Sequence, residues 1–147
     1  MPKQFVVKPS DRSPALSVVG VKVQVLVSEE NSNTQQVTLQ SGDEGVGPPP
    51  HSHGWDESFY ITKGQVIFTS GGQTTACSPG TLVFIPAGTI HAFGFGPGGG
   101  EMLEFTGAGS NAVKMFTALD REIPPGPPDI PKVIQVGGEY GLNLHLD

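Results

Sequence analysis

Glycine and proline divide this chain into short segments along most of its length. There are 21 glycines and 14 prolines among 147 residues. Because proline lacks a backbone donor and glycine destabilises helix interiors, this content disfavours long helices and favours short strands joined by tight turns. Hydrophobic residues make up 36% of the chain, which is enough for a packed core. The sequence therefore predicts one all-β domain with many short strands.

Alternation of apolar and polar residues locates the strands. The segment over residues 17–28, SVVGVKVQVLVS, is the clearest, because every second residue from Val21 to Val27 is a valine. A turn is predicted at 29–33. Strands at this spacing are typical of an antiparallel sandwich or barrel. The other predicted strands are one at 34–41, two or three within 58–80, two within 81–96 and one at 98–107, with turns at Lys63-Gly64, Gly71-Gly72, Pro79-Gly80 and Pro86-Ala87-Gly88.

The C-terminal region has a different pattern. Apolar residues recur at helical spacing in 110–122, with Ser110 as the expected N-cap, and again from Asp129 onward. The proline-rich segment 123–128, IPPGPP, is a stiff linker between them. The predicted organisation is an N-terminal arm at 1–16, a β-barrel at 17–109 and a tail with two short helices at 110–147.

Charge and composition exclude several classes of function. The formal net charge is −6, and the eight basic residues are scattered, so we expect no contact with nucleic acid. No apolar run approaches the ~20 residues of a membrane helix, and the N-terminus does not look like a signal peptide. With Cys77 as its single cysteine, we expect a cytoplasmic protein without a disulfide or a membrane contact.

Two of the four histidines stand close together in the segment GPPPHSHGWDESFY, residues 47–60. His51 and His53 are two apart, so on a strand both imidazoles point to the same side. Glu57 follows after a short turn, and His91 lies on another predicted strand. Three imidazoles and a carboxylate that meet inside a barrel suit a divalent transition metal. His-x-His pairs are also common on surfaces, so the pair alone leaves a metal site and unrelated surface histidines both open.

The glycines and proline around these residues follow two spaced motifs. The first runs Gly45, five residues, His51, one, His53, three, Glu57, six, Gly64; the second runs Gly80, five, Pro86, one, Gly88, two, His91. In order and spacing they resemble the two motifs of the cupin family, and the 15 residues between them resemble the short spacing of small bacterial, quercetinase-like cupins.

The cupin resemblance implies a jelly-roll barrel and a ligand set. It implies that His51, His53, Glu57 and His91 bind one divalent transition metal per chain, which the sequence leaves open among Fe, Mn, Ni, Co, Cu and Zn. Family members often have an asparagine four residues after the last histidine, where this chain has Phe95. That difference favours a more apolar pocket.

Strand alternation extends the prediction to the pocket. Counting from Glu57 places Phe59 and Ile61 on the inner side, and counting from His91 places Phe93 and Phe95 there. Met102 is expected to join them from the last strand. Between Gly45 and Gly109 the sole cation is Lys63, which disfavours a strongly anionic substrate because lysine and arginine are the usual anchors for such groups.

Three functions are open at this point. The first is a mononuclear metal-dependent dioxygenase that acts on a small neutral, enolisable or aromatic substrate, with Glu57 also available as a catalytic general base. The second is a metal-dependent isomerase or lyase, and the third is a non-catalytic small-molecule-binding protein. The resemblance also implies a homodimer, for which the arm and the strand at 17–28 are candidates for exchange between subunits, and the tail is a candidate lid over the barrel mouth.

Overall fold

A curled antiparallel sheet of nine strands forms a half-barrel in the computed structural model, which describes residues 1–146. The prediction of an all-β fold is confirmed. The elements in chain order are a 3-10 helix at Pro9–Asp11, β1 (Leu16–Val18), β2 (Val21–Val27), α1 (Glu29–Ser32), β3 (Gln35–Gly42), β4 (His51–Ser52), β5 (Glu57–Ser70), β6 (Gln73–Cys77), β7 (Leu82–Ile85), β8 (His91–Gly107), α2 (Ala112–Glu122), α3 (Ile130–Gly138) and β9 (Asn143–Leu144).

Two long paired strands form the central part of the half-barrel. Strand β5 pairs with β8 over nearly its whole length, from Glu57 opposite Thr106 to Ser70 opposite His91. On the other side of β8 lie β3, β2 and β1, and the short strands β4 and β9 join the same sheet. The core lies inside this curl, where inward residues of β5 and β8 meet apolar residues of α2 and α3.

The strands differ in length from the predicted ones because glycine allows bulges as well as turns. The expected turn at Lys63-Gly64 is a bulge within the continuous strand β5, where Gly64 has a φ of +63°. Strand β8 likewise runs through both of the segments predicted as separate strands. Conversely, the predicted strand at 17–28 is the hairpin β1–β2, with a turn at Val19 and Gly20, which have φ values of +50° and +92°.

The predicted turn at 29–33 contains the short helix α1. The Ser28 hydroxyl caps it by accepting from the backbone N–H of Asn31 at 3.2 Å, and Asn33 ends it in the left-handed conformation. The two predicted C-terminal helices are present as α2 and α3. Asp129 caps α3 as expected, whereas the N-cap position of α2 is Asn111 rather than Ser110.

The C-terminal tail also contains a strand that the sequence analysis missed. Strand β9 follows α3 and pairs with β4. Over residues 1–146, no helix combines the length and the apolar character that crossing a bilayer requires.

Candidate metal centre

The four predicted ligand residues converge inside the half-barrel. His51 lies on β4, His53 directly follows it, Glu57 begins β5 and His91 begins β8. All four are buried, and one ligand atom from each lies within 4.8 Å of all the others. The convergence expected from strand alternation and from the two motifs is therefore present.

Contacts between the two motif segments hold the ligands in place. In the β4–β8 pair His51 lies directly opposite His91. The backbone N–H of Gly88 donates to the carbonyl of His53 at 2.8 Å, and the backbone N–H of Ala87 donates to the carboxylate of Asp56 at 2.8 Å. The loop before His91 is thus tied to the turn between His53 and Glu57.

Backbone carbonyls orient all three imidazoles in the same way. In His51, Nδ1 lies 2.9 Å from the carbonyl oxygen of Pro49. The corresponding distance is 3.1 Å from His53 to the carbonyl of Trp55, and 2.8 Å from His91 to the carbonyl of Thr89. Because a carbonyl only accepts, Nδ1 carries a proton in each ring, and Nε2 is the nitrogen available for a metal. Such carbonyl partners are typical of histidines that ligate metals.

Glu57 lies among the Nε2 atoms. Its Oε1 is 3.0 Å from Nε2 of His53 and 2.7 Å from Nε2 of His91. Burial by itself raises the pKa of Glu57, but the hydrogen bonds with His53 and His91 outweigh it and hold the pKa well below its usual range. The carboxylate is therefore ionised at neutral pH.

The pKa values of His51 and His91 are shifted in opposite directions. Burial, followed by the nearby His91, lowers the pKa of His51 to about 4, so this ring is neutral at pH 7. Burial also lowers the pKa of His91, but the hydrogen bond and the charge of Glu57 outweigh it, so the net change is upward. Three imidazole nitrogens and one carboxylate fit a divalent transition ion, so this buried cluster could hold a metal.

Glu104 is a second buried carboxyl group beside Glu57, and the sequence analysis did not single it out. Thr38 Oγ1 donates to Glu104 Oε1 at 3.0 Å, and Gln40 Nε2 donates to Thr38 Oγ1 at 3.1 Å. Burial, followed by the charge of Glu57, raises the pKa of Glu104 well above its usual value. Strand alternation could have identified Glu104, because it is two residues from Met102 on the same strand and so shares its inward face.

Trp55 shields one side of the site. Its ring lies parallel to that of His53, with centroids 4.3 Å apart and 7° between the planes. This residue was not among the predicted pocket residues. The structure places it in the wall of the cavity that contains His53.

A cavity of about 80 Å³ opens at the cluster and is mostly apolar. Since one water needs roughly 10–15 Å³, several waters or a compound with one small ring would fit. Phe59 and Phe93 line the cavity, as predicted. Ile61, Phe95 and Met102 are instead buried in the core and are not among the residues that line the cavity.

The C-terminal helices build the far wall of this cavity. Met115, Phe116 and Leu119 of α2 and Val133 of α3 line it together with Leu142. Gln40 and Glu104 add polar groups near the cluster. Among the described residues that form the wall there is no lysine or arginine, in keeping with the scarcity of cations in the motif region.

The fold and the cluster define a small half-barrel protein with a buried His₃Glu site. A family model described as "Cupin domain" matches residues 35–104. The match contains His51, His53, Glu57 and His91, and it supports the cupin resemblance of the two motifs. The φ values of the motif glycines, Gly45, Gly64, Gly80 and Gly88, lie between +63° and +92°, which accounts for glycine at these positions.

Comparison with individual proteins gives distant relatives. The chain is 33% identical over 57 residues to the uncharacterized protein SCO3923 of Streptomyces coelicolor, which is 39% of this chain and 54% of that protein. It is 28% identical over 71 residues to quercetin 2,3-dioxygenase of Bacillus subtilis, which is 47% of this chain and 21% of that protein. The chain thus spans about half of the first relative and about a fifth of the second.

A solved structure confirms the fold. KdgF of Halomonas sp. superposes with a TM-score of 0.67 at 14% identity, over 76% of this chain and 99% of that chain. At this identity the likeness concerns the fold alone.

Proposed function

We propose that this protein is a mononuclear metal-dependent dioxygenase that acts on a small neutral, enolisable or aromatic substrate. The observation that carries the proposal is the position of His51, His53, Glu57 and His91 at the polar end of a largely apolar cavity. Backbone carbonyls orient the three rings, and the four ligand atoms lie within 4.8 Å of one another, which favours binding of one ion. The alignment with a dioxygenase supports the choice of reaction class.

The chain's own residues have distinct tasks in this proposal. The Nε2 atoms of the three histidines and the carboxylate of Glu57 would hold the ion, which supplies a Lewis acid next to the substrate oxygen. Glu57 is ionised and lies next to the cavity, so it can accept the proton of an enol or phenol group. Phe59 and Phe93 form an apolar wall that orients a ring and excludes water.

The lining residues also define the class of substrate. A carboxylate or phosphate group would be desolvated in this cavity without a lysine or arginine as partner, which is costly. A neutral molecule with one oxygen at the ion and an apolar body toward α2 and α3 avoids that cost. This argument applies equally to an isomerase or lyase that uses the same site without dioxygen.

Metal content and oxygen consumption test the proposal. Tag-free protein is expected to carry about one transition metal per chain by mass spectrometry, and the His51→Ala, His91→Ala double variant to carry none. Loaded protein is expected to consume oxygen with small β-diketones or catechols. Glu57→Gln should abolish turnover, whereas Glu30→Gln, at an exposed carboxylate on α1, should leave it unchanged.

Three other outcomes would each reject the dioxygenase. Metal-dependent turnover of a carbonyl compound without oxygen would favour the isomerase or lyase. Ligand binding without turnover of any kind would favour the non-catalytic binding protein. Absence of metal even after reconstitution would reject the four-ligand site itself.

We also propose that the protein is a homodimer, formed through the outer face of the sheet. Leu82 and Phe84 of β7 are 63% and 57% exposed, and Tyr60 and Phe105 lie on the same face of the neighbouring strands. These four side chains carry no charge, so the same face of a second copy can pack against them without charge repulsion.

A further inference from the structure

We propose that strand β9 and His145 form a brace that holds His51 in position, so that metal binding depends on residues 143–145. This inference rests on the proposed metal site. It assigns a positioning role to residues that lie outside both motifs and more than 90 positions from His51.

Strand β4 is too short to hold itself in place. It contains two residues and follows three prolines, Pro48 to Pro50, which offer no backbone donors. On one side it pairs with β8 through His51 opposite His91. On the other side it pairs with β9, with His51 opposite Leu144 and Ser52 opposite Asn143. Two of the three residue pairs of this ligand strand therefore come from the C-terminal segment.

His145 adds two contacts that flank His51 along the chain. Its backbone N–H donates to the carbonyl of Pro50 at 2.8 Å. Its Nε2 lies 2.8 Å from the hydroxyl of Ser52, with which it shares a hydrogen bond. Because Ser52 is buried, that bond is poorly exposed to competing water. The residues before and after His51 are therefore both hydrogen-bonded to His145, Pro50 through the His145 backbone and Ser52 through its side chain.

The brace is itself anchored to the core. Leu142, directly before β9, packs against Gly137 of α3 so closely that a Cβ at Gly137 would lie 2.7 Å from its side chain. The N–H of Leu142 donates to the carbonyl of Gly137 at 3.0 Å. Strand β9 is therefore held by α3, which packs on the rest of the protein through Val133 and Val136.

The consequence for the metal follows from population arithmetic. Where the binding-competent conformation is only partly populated, the apparent Kd rises in inverse proportion to its fraction. Without β9, segment 50–54 keeps a single strand neighbour, and short isolated pairings of that kind are marginal. We expect His51 then to leave the site for much of the time, and the apparent Kd to rise.

The test compares two shortened chains in their metal-free form. One ends at Leu142 and lacks β9 and His145, while the control ends at His145 and keeps the brace. Hydrogen exchange of the amides of residues 51–54 is expected to accelerate about tenfold or more in the first, with β5 and β8 still protected. The Kd for Co²⁺ should rise by a similar factor. The control should match the full chain in both measurements.

Point variants test the same brace without removing the segment. His145→Ala removes the contact to Ser52 and is expected to weaken Co²⁺ binding about fivefold, as the loss of one partly buried hydrogen bond would. Ser52→Ala should have the same effect, and the double variant should be no worse than either, because both remove one shared contact. If the chain ending at Leu142 loses protection in β5 and β8, these variants decide the question.

The outcomes separate the brace from the metal site. Unchanged exchange at 51–54 in the shortened chain, or additive effects of the two point variants, would overturn the brace. If the full chain binds no metal but exchange at 51–54 still accelerates on shortening, the brace is supported and the proposed metal site fails.

Discussion

The indole of Trp55 stacks on the imidazole of His53, with ring centroids 4.3 Å apart and planes 7° from parallel. Trp55 is the single tryptophan of the chain. The tryptophan fluorescence of the protein therefore reports on one ring in contact with a proposed metal ligand. A metal at Nε2 of His53 would lie within a few ångströms of the indole.

We expect Cu²⁺ or Co²⁺ to quench most of this fluorescence at one equivalent, because open-shell ions accept the excitation energy at short range. Zn²⁺ has a filled d shell and should bind without quenching in that way. The measurement is a fluorescence titration of metal-free protein with each ion, and the His51→Ala, His91→Ala double variant is the control. Equal changes with Cu²⁺ and Zn²⁺, or quenching in the double variant, would contradict a metal at this site.

Glu104 should make the stability of the metal-free protein depend on pH. Burial and the neighbouring Glu57 raise its pKa in the folded state. A raised pKa contributes stability that is fully present below the unfolded value of about 4.3, and this stability is lost as the pH rises toward the folded pKa. The loss from this group is at most about 1.4 kcal/mol per pH unit.

Glu104→Gln removes this titration and is nearly the same size. The variant should therefore gain stability relative to the parent as the pH rises from 5 upward, to be measured by chemical denaturation at several pH values. Glu101→Gln, at a half-buried residue of the same strand, serves as the control and should show no such trend. A constant difference between Glu104→Gln and the parent at every pH would contradict the raised pKa.

Gly64 is expected to tolerate no side chain. Its φ of +63° disfavours other residues, and a Cβ there would collide with the carbonyl oxygen of Gly99 on β8. Gly64→Ala should lower the free energy of unfolding by about 3 kcal/mol or more, because the backbone of the paired strand has to move. Gly71→Ala is a matched control.

Gly71 has a similar φ of +58°, but nothing lies within 4 Å of a Cβ at this position. The expected cost is then conformational alone, about 1–2 kcal/mol. Urea denaturation of both variants measures the difference. Equal losses would show that the collision with Gly99 is relieved without cost.

The proposed dimer face can be tested with charge. Leu82→Glu combined with Phe84→Glu would bury two unpaired carboxylates at the interface. Each buried, unpaired charge would destabilise the dimer by about 3–5 kcal/mol. Dimer dissociation should become more than about 100-fold more favourable. Sedimentation velocity measures the change, and Ile134→Glu, at an exposed position on α3, is the control that should stay dimeric. A parent protein that is monomeric, or a double variant that remains dimeric, would reject this face.

Much of the site was predictable because its signals are local. The spacing of His51, His53 and Glu57 fits one strand and one turn, and the glycines of both motifs adopt positive φ values. Alternation also located Phe59 and Phe93 in the cavity wall. These features depend on the period of a strand and on the conformational freedom of glycine, and both can be read from neighbouring residues.

Features that depend on distant contacts were not predictable in the same way. Whether Gly64 makes a turn or a bulge depends on how β8 lies against β5. Ile61, Phe95 and Met102 were placed in the pocket by alternation, but the curl of the sheet decides which inward residues reach the cavity. Glu104 gained its altered pKa only because folding brings it next to Glu57.

The amino-acid sequence by itself determined the all-β fold class, the approximate positions of most strands and the identity of the four clustered residues, since these follow from local periodicity and motif spacing. The tertiary structure alone decided that Leu144 pairs with His51 and that the C-terminal helices close the cavity. The reason is physical: pairing between segments more than 90 residues apart depends on the packing of α3 and the sheet, and no local pattern in either segment encodes it.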